Sequence, residues 1–435
     1  MIERVAVGLL GLGTVGAGVA RLLGEQGDRI ARRSGRLVEV KWAVVRDPAK
    51  IRACSIPRGR IVTDPRIILD DPSVAVLIEV MGGIEPAFGW ICEALAAGKD
   101  VVTANKALLA ERGAELFAFA RRHGRAIAFE AAVGGGIPIV QALGVGLAAN
   151  QVESIAAIVN GTCNFILTAM GRDGLPYDQA LKQAQQLGYA EADPTMDVDG
   201  TDTAHKLAVL AQLAFGANVT TADIAREGID RLQPADLAYA AELGYVVKLL
   251  ALADLAGNDL MLRVGPTLVK RGTPLADVQG PYNAVRVVGD AVGDTLFYGR
   301  GAGAMPTASA VVGDLIDVLV GRAALTAQAL DLWSDSNHGP RLAPHDQVRS
   351  RYYLRFSIAD RPGVIAAISR VLGDHEISIA SLIQHDPGDD DTPSTPVPLV
   401  MMTHVAVDAH LRAALREIDR LEVVRLPTVC LGVGE

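Results

Sequence analysis

A run of acidic residues ends in a lysine near the middle of the chain, and such side chains can move protons and bind a cation. Glu191 lies at the start of the run, and Asp202 and Lys206 lie at its end. If a helix begins near Thr201, Asp202 and Lys206 are four residues apart and share one face, about 5–6 Å apart at Cβ. One interpretation is an exposed ion pair that stabilises the helix by about a few tenths of a kcal/mol.

The residues after Lys206 favour a chemical role instead. They continue with Leu207–Ala211, which is apolar nearly all round, so we expect a buried helix with a partly desolvated lysine at its start. Desolvation lowers the pKa of a lysine from about 10.4 toward neutrality, as proton exchange with an alcohol or aldehyde requires, whereas a neighbouring carboxylate opposes that fall. Two acids beside the lysine also suit a substrate that carries an ammonium group.

A second lysine follows a predicted strand in the first third of the chain. Thr103 ends the strand that begins at Asp100, and Lys106 comes three residues later. Ligands of doubly wound sheets bind beyond the carboxyl ends of the strands, where such a lysine can reach the reacting centre. The alternative is a surface lysine that begins a helix.

A glycine-rich hexapeptide follows the first apolar run, Val5–Leu10, and precedes a helical pattern over Ala17–Leu23. This G-x-G-x-x-G sequence has the strand-to-helix setting that dinucleotide binding requires, because its glycines permit the turn, the approach of a pyrophosphate and the packing of helix on strand. A plain glycine-rich turn is the alternative. The cofactor-binding residues predicted here are Gly11, Gly13, Thr14, Val15 and Gly16.

The end of the second strand bears on the choice of cofactor. No clear acidic residue is placed to hold the ribose 2′-hydroxyl of NAD, since the strand ends Val44-Val45-Arg46-Asp47. Arg46 can meet the 2′-phosphate of NADP instead. We favour NADP, although Asp47 keeps NAD open and Arg46 can equally be a solvated strand-end residue.

The elements around these motifs change in character along the chain. Up to about residue 130, short apolar runs alternate with helical patterns, which predicts a parallel sheet. From about 140 to 305, strand-like pieces such as Val152–Val159 and Ala284–Val288 are mixed with long Ala/Leu-rich helices around 201–256. A helix from Thr307 to about Val320 is expected to pack back on the first domain. Strand and helix patterns then repeat after residue 351.

Composition excludes several classes of protein. The net charge of −9 argues against a nucleic-acid partner and against an anionic membrane surface. The uncharged stretch 131–152 is interrupted by glycines, a proline and amides, so we expect buried loop and helix there and no membrane span. The four cysteines are scattered singly, and the N-terminus enters a strand without a signal-peptide pattern. A cytoplasmic location is expected.

Taken together, the motifs resemble those of the homoserine dehydrogenase family, and the resemblance runs through nearly the whole chain. They occur in the family's order as Gly11–Gly16, Thr103–Lys106, Phe129–Pro138, Asn160–Asn164 and Gly188–Lys206. The tail, with Asp360–Val364 between a strand and a helix, is similar to an ACT domain. Because no kinase segment precedes residue 1, the chain is similar to the monofunctional form of the enzyme.

The resemblance implies an α/β fold with three domains. Residues 1–135 are expected to form a Rossmann-type dinucleotide-binding domain with a doubly wound parallel sheet, completed by residues 305–330. Residues 136–304 are expected to form an α+β substrate-binding and dimerisation domain. A linker over 334–350 leads to a ferredoxin-like ACT domain over 351–435.

The resemblance also implies an activity and a set of residue roles. The reaction is the reversible, NAD(P)-dependent interconversion of L-homoserine and L-aspartate 4-semialdehyde on the route to threonine and methionine. Lys206 would exchange the proton at the substrate oxygen, and Lys106 would lie beside the nicotinamide and substrate. Glu191 would bind the substrate amino group, and Asp202 would fix the substrate or Lys206. Thr103 and Gly303 would approach the cofactor.

A monovalent cation, such as sodium, is a further implied ligand. In this family it binds near Glu130 through the carbonyl oxygens of Val133, Gly135 and Ile137. Hard cations do prefer oxygen ligands. The alternative is a plain glycine-rich turn, because backbone ligands leave no mark in a sequence.

The tail implies regulation and assembly. We expect feedback inhibition by L-threonine, bound near Asp360, Gly363 and Val364, where helix N–H groups can meet a carboxylate. A dimerisation module without a ligand is the alternative. ACT pairing and the family pattern favour a homodimer or homotetramer.

Two other functions are alternatives to this activity. An acylating semialdehyde dehydrogenase would use Cys163 as a thiol nucleophile, but this cysteine lies in an apolar run without a neighbouring base. A catalytically silent amino-acid sensor would not need Glu191, Asp202 and Lys206 together. His205 adjoins Lys206 but is expected to point to a different helix face, since adjacent positions diverge by about 100°.

Overall fold

The computed structural model describes residues 3–52, 54–334, 339–385 and 396–434. Its strands are, in chain order, β1 (Glu3–Leu10), β2 (Arg36–Val44), β3 (Ile61–Val62), β4 (Val74–Glu79), β5 (Asp100–Thr103), β6 (Ile127–Ala128), β7 (Val152–Ile158), β8 (Ala225–Arg226), β9 (Tyr245–Ala256), β10 (Asp259–Lys270), β11 (Tyr282–Gly289), β12 (Gly293–Arg300), β13 (Arg341–Leu342), β14 (Arg349–Ile358), β15 (Ile379–Ile383), β16 (Val397–Thr403), β17 (Ala406–Val407) and β18 (Val424–Val433).

The helices occur between these strands. They are α1 (Thr14–Glu25), α2 (Gly27–Ser34), α3 (Arg66–Leu69), α4 (Ala87–Ala96), α5 (Lys106–His123), α6 (Ile139–Gln141), α7 (Gly161–Asp173), α8 (Tyr177–Gln186), α9 (Thr195–Val198), α10 (Thr201–Phe215), α11 (Pro234–Glu242), α12 (Ala304–Leu319), α13 (Arg322–Leu330), α14 (Val364–Asp374) and α15 (Asp408–Ile418).

The chain folds as two compact units. Unit 1 contains residues 1–161, 202–224 and 282–341, and unit 2 contains residues 162–201, 225–281 and 342–435. This division cuts across the predicted substrate domain, parts of which fall in each unit. The predicted boundaries of the three domains therefore stay predictions. The predicted linker 334–350 includes residues 335–338, which lie outside the described residues.

A six-stranded parallel sheet forms the first half of unit 1. Its strand order, β3-β2-β1-β4-β5-β6, is that of a Rossmann fold with its switch point beside β1 and β4. The last four residues of β1, Val7–Leu10, are buried, as strands covered by helices on both faces require. The predicted doubly wound sheet is confirmed, with β1 beginning two residues before the predicted run Val5–Leu10 and β5 matching the predicted strand Asp100–Thr103.

Helix α12 packs against this sheet domain although it comes almost 200 residues later. Its Ala308, Val311 and Leu315 are buried in the same core as Val7 and Val19. Helices α1 and α12 approach so closely that a Cβ at Gly18 would lie 2.7 Å from the Ala304 carbonyl oxygen. The predicted return of a helix to the first domain is thus correct.

The second sheet of unit 1 is small and antiparallel, in the order β12-β11-β7. It lies next to the glycine-rich turn after β6. A Cβ at Gly135 would lie only 2.3 Å from the Gly301 carbonyl oxygen, so the two backbones touch at a glycine. Gly136 also donates its N–H to the Arg300 carbonyl oxygen at 2.9 Å.

Unit 2 corrects one prediction about secondary structure. The Ala/Leu-rich stretch 201–256 is helical only over α10 and α11, and Tyr245–Ala256 is strand β9. Strand β9 forms a hairpin with β10 through the residues Gly257 and Asn258. A continuous apolar run fits a buried strand as well as a buried helix, and the Gly-Asn pair is the hairpin signal that decides between them.

The last part of unit 2 has the predicted ferredoxin-like fold. Strands β18-β14-β16-β15 lie side by side, and α14 and α15 cover them around the buried side chains of Phe356, Leu399 and Leu411. Strand β18 has no counterpart in the sequence prediction. Its C-terminal end remains paired with β14 and also pairs in parallel with β10, through Thr267 and Gly432. This strand gives unit 2 one continuous sheet, β9-β10-β18-β14-β16-β15.

No described helix combines the length and the apolar character needed to cross a membrane.

Candidate active site

The glycine motif forms a tight loop between β1 and α1. Gly11 has φ = 105° and donates its N–H to the Val44 carbonyl oxygen at 3.1 Å. A Cβ at Gly16 would lie 2.2 Å from the Gly11 carbonyl oxygen, so only glycine fits there. A Cβ at Gly13 would meet nothing within 4 Å, which leaves open space at the N-terminus of α1. This geometry fits a pyrophosphate, which helix N–H groups stabilise.

Thr14 and Val15 form the first turn of α1, as predicted for residues next to a bound phosphate. Thr14 is exposed and Val15 is half-buried.

A buried acid that the sequence reasoning missed organises the neighbouring strand ends. Glu79, the last residue of β4, is fully buried and accepts hydrogen bonds from the Met81 N–H at 2.9 Å and the Gly82 N–H at 3.1 Å. Thr103 donates its hydroxyl to the other Glu79 oxygen at 2.7 Å. Thr103 therefore uses its side chain to join two strand ends. The sequence feature that could have identified Glu79 is an acidic residue at the end of an apolar strand.

The loop after β2 carries Arg46, the residue predicted to favour NADP over NAD. Arg46 is exposed two residues beyond the end of β2. Arg52, which sequence reasoning missed, donates its Nε–H to the Leu12 carbonyl oxygen at 3.1 Å and an Nη2–H to the Asp47 carbonyl oxygen at 2.8 Å. Arg52 thus ties the loop that carries Arg46 to the glycine loop.

Helix α5 places Lys106 at its first position. Asn105 caps this helix by accepting the Leu108 N–H at 3.2 Å, and it donates its amide to the Gly83 carbonyl oxygen at 2.6 Å. Lys106 thus begins a helix, as one interpretation predicts, and its side chain is 36% exposed, while its predicted role at the reacting centre stays a prediction.

Helix α10 places Asp202 and Lys206 on one face, as the spacing predicts. The Lys206 Nζ lies 2.7 Å from Asp202 Oδ2 and donates to the Val159 carbonyl oxygen at 2.6 Å. The Lys106 Nζ lies 3.0 Å from Asp202 Oδ1. One carboxylate therefore bridges the two lysines that the sequence singled out, and all of these residues belong to unit 1.

The bridging carboxylate is held in its charged form. Burial of Asp202 alone would raise its pKa, but Lys206 and Lys106 hold the pKa of this carboxyl well below its usual range. Asn160, which follows β7, donates its side-chain amide to Asp202 Oδ2 at 2.9 Å. Two ammonium groups therefore lie beside one carboxylate. Ammonium hydrogens suit an oxygen that gains negative charge during reaction.

The neighbouring His205 takes no part in this cluster. Its side chain is 8% exposed, and its Nε2 lies 3.8 Å from Glu111 Oε1 on α5. Adjacent residues of α10 therefore face different partners.

Glu191 belongs to unit 2, where it is exposed after α8. Gln185 donates its amide to the Glu191 carbonyl oxygen at 3.1 Å and so fixes this backbone. Cys163 is fully buried in the same unit, and its Sγ lies 3.2 Å from the Asp197 carbonyl oxygen. A buried thiol bound to a carbonyl oxygen is a packing group, which disfavours the acylating rival.

The predicted cation residues surround the turn after β6. Glu130 is buried, and its carboxylate oxygens accept the Val140 and Gln141 N–H groups at 2.9 Å each. Burial raises the pKa of Glu130, and it raises that of Asp314, which accepts the Glu130 N–H at 2.8 Å, still more. The Glu130 side chain thus anchors a helix start. Its neighbours Val133, Gly135 and Ile137 are buried in a turn with positive φ at Gly134 and Gly135.

Two predicted sites lie at helix N-termini. Gly303 precedes α12 with φ = 123°, a conformation that favours glycine. Gly363 precedes α14 with φ = 90°, next to buried Val364. Asp360 is exposed in the loop before α14, and the Gln384 amide lies 3.5 Å from its Oδ1.

The Rossmann strand order, the open glycine loop at α1 and two lysines bridged by a carboxylate are typical of nicotinamide-dependent dehydrogenases. Matches to models of known protein families identify a narrower class within these dehydrogenases. Residues 11–130 match the model described as homoserine dehydrogenase, NAD binding domain, residues 138–316 match the homoserine dehydrogenase model, and residues 352–423 match the ACT domain model.

Individual homoserine dehydrogenases align with nearly the full length of this chain. A homoserine dehydrogenase of Synechocystis sp. is 45% identical over 433 residues, which are 98% of each chain. One of Pseudomonas aeruginosa is 42% identical, with all of both chains covered. The chain belongs to the homoserine dehydrogenase family, whose reaction is an oxidation or reduction at a CH–OH group.

Solved structures show the same relationship. The crystal structure of a homoserine dehydrogenase from Thiobacillus denitrificans has a TM-score of 0.91 at 43% identity and covers all of this chain and 99% of that one. A hyperthermophilic archaeal homoserine dehydrogenase in complex with NADPH has a TM-score of 0.61 at 27% identity, covering 73% of this chain and 98% of that one.

Proposed function

We propose that this protein catalyses the reversible interconversion of L-homoserine and L-aspartate 4-semialdehyde on the route to threonine and methionine, with Lys206 exchanging the substrate proton. The observation that carries the proposal is the Asp202 carboxylate, which lies within 3.0 Å of the Nζ atoms of both Lys206 and Lys106. When bound, NAD(P) accepts or supplies the hydride.

In the direction of reduction, the Lys206 ammonium donates a proton to the aldehyde oxygen as negative charge develops there. Two of its three hydrogens face Val159 and Asp202, and the third is left for the substrate. In the direction of oxidation, the Lys206 amine takes the hydroxyl proton as the hydride leaves the substrate carbon. Asp202 keeps the lysine oriented in both directions.

The remaining roles follow the family resemblance. We propose that Lys106 stabilises the substrate oxygen beside the nicotinamide and that Glu191 binds the substrate ammonium. Lys106 is supported by its salt bridge with Asp202, and Glu191 by its exposed carboxylate. Thr103 and Gly303 complete the cofactor surface through their backbones.

NADP is the proposed cofactor, with NAD as the alternative. Arg46 is exposed on a loop that Arg52 ties to the glycine loop, and a positive side chain there favours a 2′-phosphate. The NADPH complex of the archaeal relative supports the same choice.

We also propose three further properties from the resemblance. L-Threonine inhibits the enzyme by binding near Asp360, Gly363 and Val364, supported by the ACT domain match. A monovalent cation binds the carbonyl oxygens of the turn after Glu130, supported by the two consecutive positive-φ glycines there. The protein assembles as a homodimer or homotetramer.

One set of assays tests the central proposal. Purified protein is given L-homoserine with NADP⁺ or NAD⁺, and in the reverse direction L-aspartate 4-semialdehyde with the reduced cofactors. We expect activity in both directions and a fall of about 10²–10⁴ in kcat for Lys206→Ala, which removes the proton-exchanging group. Wild-type activity that survives in Lys206→Ala would refute the assigned role.

Two controls separate the rivals. Cys163→Ala is expected to keep activity, and its complete loss in a folded variant would favour the acylating enzyme. Folded wild-type protein without homoserine-dependent reduction of either cofactor at alkaline pH would support the silent sensor. Adding millimolar L-threonine to the same assay tests the regulatory proposal separately.

A further inference from the structure

A tight turn after α13 fixes a tryptophan inside unit 1. The turn, Asp331–Ser334, includes two residues other than glycine with left-handed backbone, Asp331 at φ = 42° and Trp333 at φ = 52°. Such angles are unfavourable for bulky side chains and persist only where the surroundings hold them. Trp333 is only 4% exposed, so its indole is part of the core.

Helix α5 holds this turn on one side. The Trp333 ring lies 4.6 Å from the Phe117 ring between centroids, at an angle of 30°. A Cβ at Gly113 would come within 2.6 Å of the indole, so the helix must carry a glycine where the ring lies against it. Arg121 donates to the carbonyl oxygens of Leu332 at 2.6 Å and of Trp333 at 3.2 Å.

Helix α10 holds the turn on the other side. With its amide oriented to satisfy both neighbours, Gln212 accepts the Trp333 backbone N–H at 2.9 Å and donates to the Ala217 carbonyl oxygen at 3.0 Å. Gln212 is almost fully buried, so this pair of hydrogen bonds is costly to lose.

The two helices that Trp333 joins are the ones that carry the active-site charges. Helix α5 begins with Lys106 and kinks at Arg112 (φ = −134°, ψ = 19°), just before the residues that contact Trp333, and α10 carries Asp202 and Lys206 in its first two turns. Between the lysine end and the tryptophan end, Glu111 of α5 faces His205 of α10 at 3.8 Å. Glu111 also accepts a short hydrogen bond from the Thr221 hydroxyl.

We propose that Trp333 is a positioning residue for catalysis, which sets the spacing of α5 and α10 and so the spacing of Lys106, Asp202 and Lys206. The inference rests on the proposed function of these charges. The distance of 3.0 Å between Lys106 Nζ and Asp202 Oδ1 depends on how the two helices pack. A displacement of about 1 Å in a reacting group can cost about 10²-fold in rate.

Trp333→Ala tests the proposal directly, with Trp42→Ala as the matched control. Trp42 lies on β2, where its indole N–H donates to Asp71 at 2.8 Å, and no hydrogen bond or ring contact joins it to α5 or α10 in the described chain. We expect Trp333→Ala to lower kcat about 10- to 100-fold with a smaller change in the KM for NADPH, whereas Trp42→Ala keeps kcat within about 3-fold. Equal loss in both variants would overturn the proposal.

A second variant disturbs the same contact without removing the tryptophan. Gly113→Ala adds a methyl group against the indole, although alanine by itself favours a helix more than glycine. We expect this variant to lower kcat as well, and Trp333→Phe, a smaller ring, to recover part of the loss when the two are combined. Strictly additive effects in this double-mutant cycle would show that the contact does not control the site.

Hydrogen exchange separates this inference from the function on which it rests. Faster exchange of backbone amides in both 106–123 and 201–215 is expected for Trp333→Ala but not for Trp42→Ala. This readout needs no substrate, so it tests the helix packing even if the wild-type protein has no homoserine dehydrogenase activity. Unchanged exchange in both helices would refute the proposal, whatever the kinetics of the wild type.

Discussion

Two buried carboxylates, one in each unit, show how the same chemical group serves different ends. Asp202 in unit 1 is shared by the ammonium groups of Lys106 and Lys206. Asp236 in unit 2, on α11, binds the Arg355 guanidinium through both oxygens and the Tyr353 hydroxyl at 3.3 Å. Lysine is a point charge with hydrogens left to donate, whereas the planar guanidinium matches the carboxylate.

The two carboxylates differ in how deeply their cationic partners are buried. The Asp236 pair has one charge of each sign, and Asp236 also accepts the Gln233 N–H that begins its own helix at 2.9 Å. Its polar atoms are used within the protein. Asp202 is shared by two ammonium groups, and Lys106 remains 36% exposed. A closed pair stabilises packing or fixes a unique arrangement, while a cluster that reaches solvent can meet a ligand.

Arg355→Met is expected to give the largest effect and to act on stability. It leaves the Asp236 carboxylate buried without its cation, which costs about 3–5 kcal/mol. Urea unfolding followed by circular dichroism measures this loss. The folded fraction should keep its kcat, because the pair lies outside the lysine cluster.

Arg355→Met combined with Asp236→Asn provides the control. The amide oxygen can still accept the helix N–H, and the amide NH2 in place of the other oxygen can donate to the tyrosine hydroxyl oxygen, so we expect most of the stability to return. A double variant as unstable as Arg355→Met alone would contradict the account of a closed ion pair.

Asp202→Asn is expected to act on rate instead. The amide cannot hold two ammonium groups by charge, so we expect kcat to fall about 10²–10³-fold, which is about 2.7–4 kcal/mol of transition-state stabilisation. Steady-state assays in both directions measure it. Asp199→Asn is the matched control, because Asp199 bonds Thr201 at the start of the same helix and an asparagine can do the same.

The proposed difference between Asp202 and Asp236 would be wrong if Asp202→Asn mainly lowered the free energy of unfolding and left kcat unchanged. Asp202 would then be a structural carboxylate like Asp236.

Lys248 is a buried cation with no salt bridge among the described residues, and it tests what happens without a carboxylate contact. It is 4% exposed, and its Nζ donates to the Asn164 side-chain oxygen at 3.1 Å and to the Val278 carbonyl oxygen. Burial lowers the pKa of Lys248 to about 8, and Asp277 opposes that fall only in part. The folded state therefore releases its proton at a lower pH than the unfolded state, in which the lysine titrates near 10.5.

The sign of the effect follows from this difference. Between pH 8 and 10.5 the unfolded chain binds more protons, so the contribution of Lys248 to stability rises with pH. We expect the difference in unfolding free energy between wild type and Lys248→Met to shift by about 1–3 kcal/mol in favour of the wild type across this window. Guanidinium unfolding at pH 7 and pH 10 measures it. A difference that does not change with pH would contradict the assignment.

Sequence reasoning located the lysine cluster because its parts carry local signals. Asp202 and Lys206 are four residues apart on one helix, and Lys106 follows a strand at the binding edge of a parallel sheet. The partners Asn160, Val159 and Glu79 were missed. Their roles depend on which strand lies beside which, and a single sequence does not contain that pairing.

The sequence-based prediction of the fold was wrong for β9 and incomplete for β18. The six-stranded sheet follows from alternating strand and helix patterns, but β9 was taken as helix because its apolar run is continuous. Strand β18 was missed because its sequence contains a proline and a glycine, which argue against a strand paired on both sides. In the structure it pairs with β14 along its length and with β10 only at its end.

Tyr353→Phe gives the smallest expected effect and tests how complete the Asp236 pair is. The Tyr353 hydroxyl donates to Asp236 Oδ1 at 3.3 Å, a long hydrogen bond, and burial together with Asp236 raises the pKa of this phenol far above its usual range. Removing the hydroxyl leaves the bidentate arginine in place, so we expect a loss of about 0.5–1.5 kcal/mol in urea unfolding and no change in kcat. Tyr352→Phe is the matched control on the same strand, since its hydroxyl faces Asp408 at 3.3 Å. If Tyr353→Phe destabilised the protein as much as Arg355→Met, the arginine would not satisfy Asp236 by itself, and the pair would be a three-membered network whose closure depends on the phenol.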